Sequence, residues 1–395
     1  MWRQWRGETS ENNDPSVRRT FFRPRPSWFR STGNRKREGW KMKKEYPIGV
    51  GMVGIGSWAK VIAEAVQRSE KVRLVTCFSR TPEHRLAFSK QFGCDEEKSY
   101  EDLLNRDDIR GVFLITPNAV HAEQTELAAR YGKHVFVEKP IANTLADGKR
   151  MIETCRKAGV VLMIGHNMRR LAGFRKIKEL IDEGLIGQPV MVEANFSHNL
   201  GFELTAEKWR WSGDDSGCPA GSLMTMGVHH ADTLIRFFGP IKTVFSNFSR
   251  LYIPAPVEDT TMTIFRFQSG ILGYLGSNYC SPKANFIHVY GTKANLLCNV
   301  TLPNVPFAEY LKMWPSADRF TQLVMSDLKG MGGKEIPLPV GDAILEEVDE
   351  FADCIRTGAK PETDGQSALA ALALIRAAIE SAQTGEQVSL KAQEG

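Results

Sequence analysis

The feature that most constrains this chain is a six-residue apolar run, Ile48 to Val53, that ends in Gly54-Ile-Gly56-Ser57-Trp58-Ala59. An amphipathic stretch follows, with Val61, Ile62, Ala65 and Val66 on one face, and then a second apolar run from Val72 to Phe78. A strand that turns through glycines into a helix lets backbone N–H groups approach a pyrophosphate, and the helix N-terminus adds a favourable field. Any tight turn uses glycine, so it is the strand before and the helix after that give the motif weight. Gly54, Gly56, Ser57, Trp58 and Ala59 are therefore expected to hold a dinucleotide.

The alternation continues with a helix from Pro82 to Phe92, a strand from Gly111 to Ile115 and a helix from Ala119 to Tyr131. A strand from His134 to Val137, a helix from Leu145 to Ala158 and a strand from Val160 to Ile164 complete it. Continuous apolar strands between helices require a parallel sheet buried on both faces. After residue 167 one helix precedes long alternating runs, among them 189–196, 241–250, 260–267, 271–279 and 285–290. These read as a mostly antiparallel sheet with one packed face. The expected class is α/β, with a doubly wound dinucleotide-binding domain over 45–166. An α/β domain with a large open sheet follows over 167–395, for substrate binding and oligomerisation. The Gly-, Lys- and Pro-rich stretch 303–339 reads as an irregular insertion or a lid.

Charge is unevenly distributed. The net charge is +5, but residues 1–44 carry nine Arg and four Lys against four acids, a net +9, so the remainder is at −4. A mildly acidic body behind a basic tail excludes reading the whole protein as a nucleic-acid binder. No apolar run approaches the ~18 residues of a membrane span. Residues 1–44 lack hydrophobic periodicity and are expected to be disordered. Within them Arg18-Arg19-Thr20-Phe21-Phe22 resembles a twin-arginine export signal, but no apolar segment follows. The functional protein is expected to begin near Met42. The seven Cys are dispersed with no C-x-x-C pair, which fits reduced thiols in the cytoplasm and indicates no metal site.

The end of the second strand bears on the cofactor. An NAD site usually offers a carboxylate there to the ribose 2′-OH. This chain has Ser79-Arg80-Thr81, with His84 and Arg85 one turn on. A hydroxyl and a guanidinium suit a 2′-phosphate, so NADP is favoured over NAD.

Further along stand Ile115-Thr116-Pro117-Asn118 with His121, Glu138-Lys139-Pro140, and Gly165-His-Asn167-Met-Arg169-Arg170. Trp209-Arg210, Gly227-Val-His229 and a closing Glu380-Ser-Ala-Gln-Thr-Gly385 come after them. In this order, from about Tyr46 to Leu390, the chain resembles the glucose–fructose oxidoreductase, inositol dehydrogenase and rhizopine-catabolism (Gfo/Idh/MocA) family. The resemblance implies hydride transfer between a nicotinamide and a hydroxyl or carbonyl of a sugar, cyclitol or related ring, in a homodimer or homotetramer. It adds Thr116, Pro117, Asn118, His121 and Glu138 to the cofactor site. Lys139 would stand between nicotinamide and substrate oxygen, aimed by a cis peptide at Pro140. An ammonium there stabilises the developing alkoxide.

His229 would be the acid/base, since an imidazole exchanges protons near neutrality. The family usually carries Asp four residues earlier to orient the imidazole; Thr225 stands there instead and is expected to serve as a non-essential orienter, with Asp232 the nearby carboxylate on that face. That departure keeps open a rival reading, a non-catalytic nucleotide-binding sensor. Expected substrate-facing residues are Asn167, Arg169, His198, Asn199, Trp209, Arg210 and Trp211, with His230 as a further candidate. Indoles suit a sugar or cyclitol ring, whereas Arg169 and Arg210 suit a carboxylate, so a carboxylated cyclic diol is also open.

Overall fold

The computed structural model describes residues 46–390, apart from 304, 330 and 331. The basic segment 1–44, expected to be disordered, lies outside the described residues.

The first half runs β1 (Ile48–Val53), α1 (Ser57–Arg68), β2 (Val72–Phe78), α2 (Pro82–Phe92), β3 (Asp95–Glu96), α3 (Tyr100–Asn105) and β4 (Gly111–Leu114). It continues with α4 (His121–Arg130), β5 (His134–Glu138), α5 (Leu145–Ala158) and β6 (Leu162–Gly165). The strands pair in parallel in the order β3-β2-β1-β4-β5-β6. Every residue of β1 and β4 is buried, as expected where helices cover both faces of a parallel sheet. The C-terminal ends of β1, β4 and β5 therefore share one edge, where the Gly54 turn, Thr116 and Lys139 emerge.

A 3₁₀ turn (Asn167–Arg170) leads through α6 (Ala172–Asp182) to β7 (Pro189–Ser197). A π-helical turn (Leu223–Gly227) then opens α7 (Val228–Phe238). The strands β8 (Ile241–Ser249), β9 (Thr260–Phe267), β10 (Leu272–Asn278), β11 (Ala284–Gly291) and β12 (Ala294–Val300) follow. After them come α8 (Phe307–Met313), β13 (Thr321–Asp327), β14 (Lys334–Glu335), α9 (Ala343–Thr357), α10 (Gly365–Thr384) and β15 (Val388–Ser389). The nine strands form one sheet, β14-β13-β12-β11-β7-β10-β9-β8-β15, antiparallel except for β7 with β10. In β9 burial alternates strictly, with Met262 and Ile264 outward and Thr263 and Phe265 inward, the pattern of a sheet packed on one face.

The stretch 303–339 is more ordered than its composition suggests. It supplies α8, a 3₁₀ turn (Trp314–Phe320) and β13, whose residues pair along the whole of β12. Gly and Lys at its tips hid a strand that the sheet edge stabilises.

Candidate active site

A cavity of about 900 Å³ opens where the C-terminal edge of the parallel sheet meets the nine-stranded sheet, lined from both sides. Ligands of open α/β sheets bind at such edges. From the parallel sheet come Gly54, Gly56, Ser57, Trp58, Thr116, Pro117 and Asn118, then Glu138 and Lys139. Gly54 has φ +80°, and a Cβ there would stand 2.6 Å from the Ile115 carbonyl oxygen, so only glycine lets the turn pass this close. At Gly56 nothing lies within 4 Å of such an atom. The first turn of α1 has no side-chain cap, so its backbone N–H groups are free for a phosphate. The residues present fit a dinucleotide.

Not every expected cofactor residue faces the cavity. Ala59 is fully buried on the core side of α1, which corrects its reading as a cofactor contact. His121 is also fully buried; its ring nitrogens meet the Pro140 and Thr116 carbonyls at 3.1 and 3.0 Å. It braces the Thr116 loop against the Lys139–Pro140 peptide, which is cis, rather than meeting a ligand. Ser79 and the exposed Arg80 lie outside the cavity lining, just past β2. The Phe78 carbonyl that precedes them accepts the Gly54 N–H at 3.1 Å, which ties this strand end to the glycine turn.

Glu138 and Lys139 are held in different ways. The Glu138 carboxyl accepts the Trp58 indole N–H at 2.6 Å and the Lys139 backbone N–H at 3.2 Å. Burial raises its pKa against the opposing pull of Lys139. The Lys139 ammonium donates to the Thr225 backbone carbonyl at 3.0 Å. Burial lowers its pKa, with Glu138 opposing, so one N–H is fixed and two remain for a ligand oxygen.

His229 lines the same cavity. Its Nδ1 is buried without a partner, which leaves Nε2 as the nitrogen available to a ligand. Burial first, then the charge of Lys139, holds its pKa well below the ordinary value, so the ring is neutral at pH 7. The residues expected to orient it do other work. Thr225 Oγ bonds the Gly221 carbonyl at 3.2 Å and pairs with the Tyr279 hydroxyl. Asp232 pairs with Arg169, its Oδ2 accepting the Arg169 Nε–H at 2.8 Å. What stands beside His229 is His166, edge-on with ring centroids 5.9 Å apart, both of its nitrogens buried and unpartnered.

The expected substrate residues divide in the same manner. Asn167, His198, Asn199, Trp209 and Arg210 line the cavity. Arg169 does not: Asp232 and the Glu362 carbonyl consume its guanidinium, so it is an interior strut, not a carboxylate clamp. His230 is fully buried, at 3.1 Å from the Asn195 carbonyl, with its ring against Phe196 and Phe174; it is a packed histidine. Trp211 packs on a small core of Leu204, Ile253, Ala255, Val257 and Tyr279 instead of facing the cavity.

Sequence reasoning missed Phe196, Tyr279, Lys283, Tyr310 and Trp314, which also line the cavity. Tyr310 and Trp314 are four residues apart, the spacing of one helix face, and that signal was present in the apparent insertion. Among the described residues, no group of three or more His, Cys, Asp or Glu is placed to hold a metal ion.

Two family models cover this architecture: an oxidoreductase family NAD-binding Rossmann fold over 48–166 and a GFO/IDH/MocA C-terminal domain over 174–297. A solved structure from Desulfitobacterium hafniense, assigned as an NADPH-dependent oxidoreductase, is 35% identical with a TM-score of 0.82, covering 87% of this chain and 98% of its own. The 1,5-anhydro-D-fructose reductase of Ensifer adhaerens is 28% identical over 86% of this chain and 98% of its own. The myo-inositol 2-dehydrogenase of Thermotoga maritima is 28% identical over 87% and 98%. The chain therefore belongs to the GFO/IDH/MocA family, as an NAD(P)-dependent dehydrogenase or reductase of hydroxyl and carbonyl groups.

Proposed function

We propose that this protein interconverts a hydroxyl and a carbonyl on a sugar, cyclitol or related ring, with NADP preferred, through Lys139 and His229. The observation that carries the reading is the convergence in one cavity of the uncapped glycine turn, the tethered Lys139 and a neutral His229. Names of relatives agree in chemistry, a reductase of an anhydro sugar and a dehydrogenase of inositol.

When bound, the nicotinamide supplies the hydride acceptor or donor. Lys139 donates to the substrate oxygen and stabilises negative charge as it develops there. Neutral His229 accepts the hydroxyl proton at Nε2 as the carbon is oxidised, and returns it in the reverse direction. Trp209 supplies part of the cavity wall on the substrate side. Ser79 and Arg80, at the strand end beside the glycine turn, are assigned to the 2′-phosphate.

The outward face of the nine-stranded sheet exposes Val190, Met191, Met262, Ile264 and Leu272. We assign that face to a homodimer or homotetramer, and the seven free thiols, six of them buried, to a cytoplasmic setting. The sensor reading competes because no described carboxylate partners His229. NADP with a panel of aldoses, polyols and cyclitols, followed at the reduced-nicotinamide absorbance, separates the two. Turnover of any member supports the enzyme. Tight NADP binding without turnover of any alcohol or carbonyl supports the sensor.

A further inference from the structure

The cavity holds a second set of positive groups that hydride transfer does not use. Arg210 is exposed, with its guanidinium 4.4 Å over the Trp209 ring, and forms no ion pair or hydrogen bond with any described residue. Lys283 lies with its ammonium 4.0 Å over the Tyr310 ring and donates to the Pro303 carbonyl at 3.3 Å. His198 lies against Tyr279 with centroids 5.1 Å apart and the rings tilted by 33°, and its Nδ1 accepts the Leu200 N–H at 3.0 Å. The ring proton is therefore on Nε2. Arg210 and Lys283 both depress the basicity of His198, after burial, which fits the three sharing one region of the cavity. All three are donors. Of the two carboxylates in the lining, Glu138 is taken by Trp58 and the Lys139 backbone, and Glu203 is exposed at the rim.

We propose that the substrate is a sugar or cyclitol acid, whose carboxylate is received by Arg210, Lys283 and His198. The inference rests on the reading of this cavity as a hydroxyl/carbonyl site and specifies its substrate class. A guanidinium laid on an indole is held in one plane, and its fork matches a carboxylate in bidentate geometry. Arg169, the other candidate clamp, is committed to Asp232, so the carboxylate falls to Arg210 and its neighbours.

Matched pairs decide the matter: galacturonate with galactose and glucuronate with glucose, titrated calorimetrically into the NADP-loaded protein and assayed for turnover. Galactose 6-phosphate serves as the third arm. The better acid is expected to bind at least tenfold more tightly than its neutral partner, about 1.4 kcal/mol, with the preference falling as salt rises. Arg210→Ala and Lys283→Ala should each collapse that ratio, and Arg210→Lys should restore only part of it. Equal or tighter binding of the neutral sugars overturns the inference, as does the absence of binding by any acid or a stronger response to the phosphate. Loss of NADP affinity in Arg210→Ala with acid preference intact overturns it too, by assigning Arg210 to the cofactor. Neutral sugars oxidised while acids are ignored would leave the proposed function standing and remove this inference. Acids bound with no turnover would do the reverse.

Discussion

Arg169 and Asp232, from the 3₁₀ turn after β6 and from α7, form a fully buried ion pair beneath the cleft, Nε to Oδ2 2.8 Å. The pairing withdraws from the site both the presumed carboxylate clamp and the presumed partner of His229. Breaking a buried pair leaves an uncompensated charge and costs about 3–5 kcal/mol. Asp232→Asn is thus expected to lose stability on that scale in denaturant melts. A change confined to KM at unaltered stability would return Arg169 to the substrate.

Thr225 serves Tyr279 rather than His229. Its hydroxyl lies between the Gly221 carbonyl and the Tyr279 hydroxyl, both within the buried wall. Thr225→Val should cost about 1–3 kcal/mol of stability, the penalty for an unpaired buried polar group. Tyr279→Phe should show coupling to it in a double-mutant cycle. The pH midpoint of kcat should stay in place, and its movement by half a unit or more would put Thr225 in contact with the acid/base.

Acid should unfold this protein early. Six of its eight His are held below their ordinary pKa mainly by burial: His134, His166 and His230 at about 4, His198 at about 3, and His121 and His229 also lowered. The unfolded chain takes up these protons near pH 6.5 while the native state does not, so stability falls as pH drops from about 6.5 towards 4. Buried Glu138 and Glu347 are raised and act in the opposite direction, but they are outnumbered. Tm is expected to fall steeply between pH 6.5 and 4.5; a flat Tm there contradicts the burial described.

NADP is expected to bind at least tenfold more tightly than NAD, about 1.4 kcal/mol. The ground is that Ser79 and Arg80 stand where an acidic ribose ligand would otherwise stand. Arg80→Ala should remove most of that preference in fluorescence titrations. Equal affinities in the wild type would assign Arg80 to the solvent.

Much of this was legible because the signals are local. The patterns of α5 and β9 and the apolar run of β2 are carried by residues within one element, so local sequence alone located them. Lys139 and His229 were legible from the short motifs around them. The fates of Arg169, Asp232 and Thr225 were not, since each depends on a partner 54 or 63 residues away. Nor was β13, which is a strand because it pairs with β12. His230 and Trp211 read as ligands by type, and only packing shows His230 in the core and Trp211 against the small cluster around Tyr279.

Lys139 and His229 are the proposed working pair of the hydride transfer. Removing a general acid/base costs about 10²- to 10⁴-fold in rate. The most direct measurement is therefore single-turnover reduction of bound NADP by the best substrate, in the wild type and in His229→Ala and Lys139→Ala. Each variant is expected to lose that factor in the hydride-transfer rate while binding NADP as tightly as the wild type. A His229→Ala rate within threefold of the wild type would contradict the account.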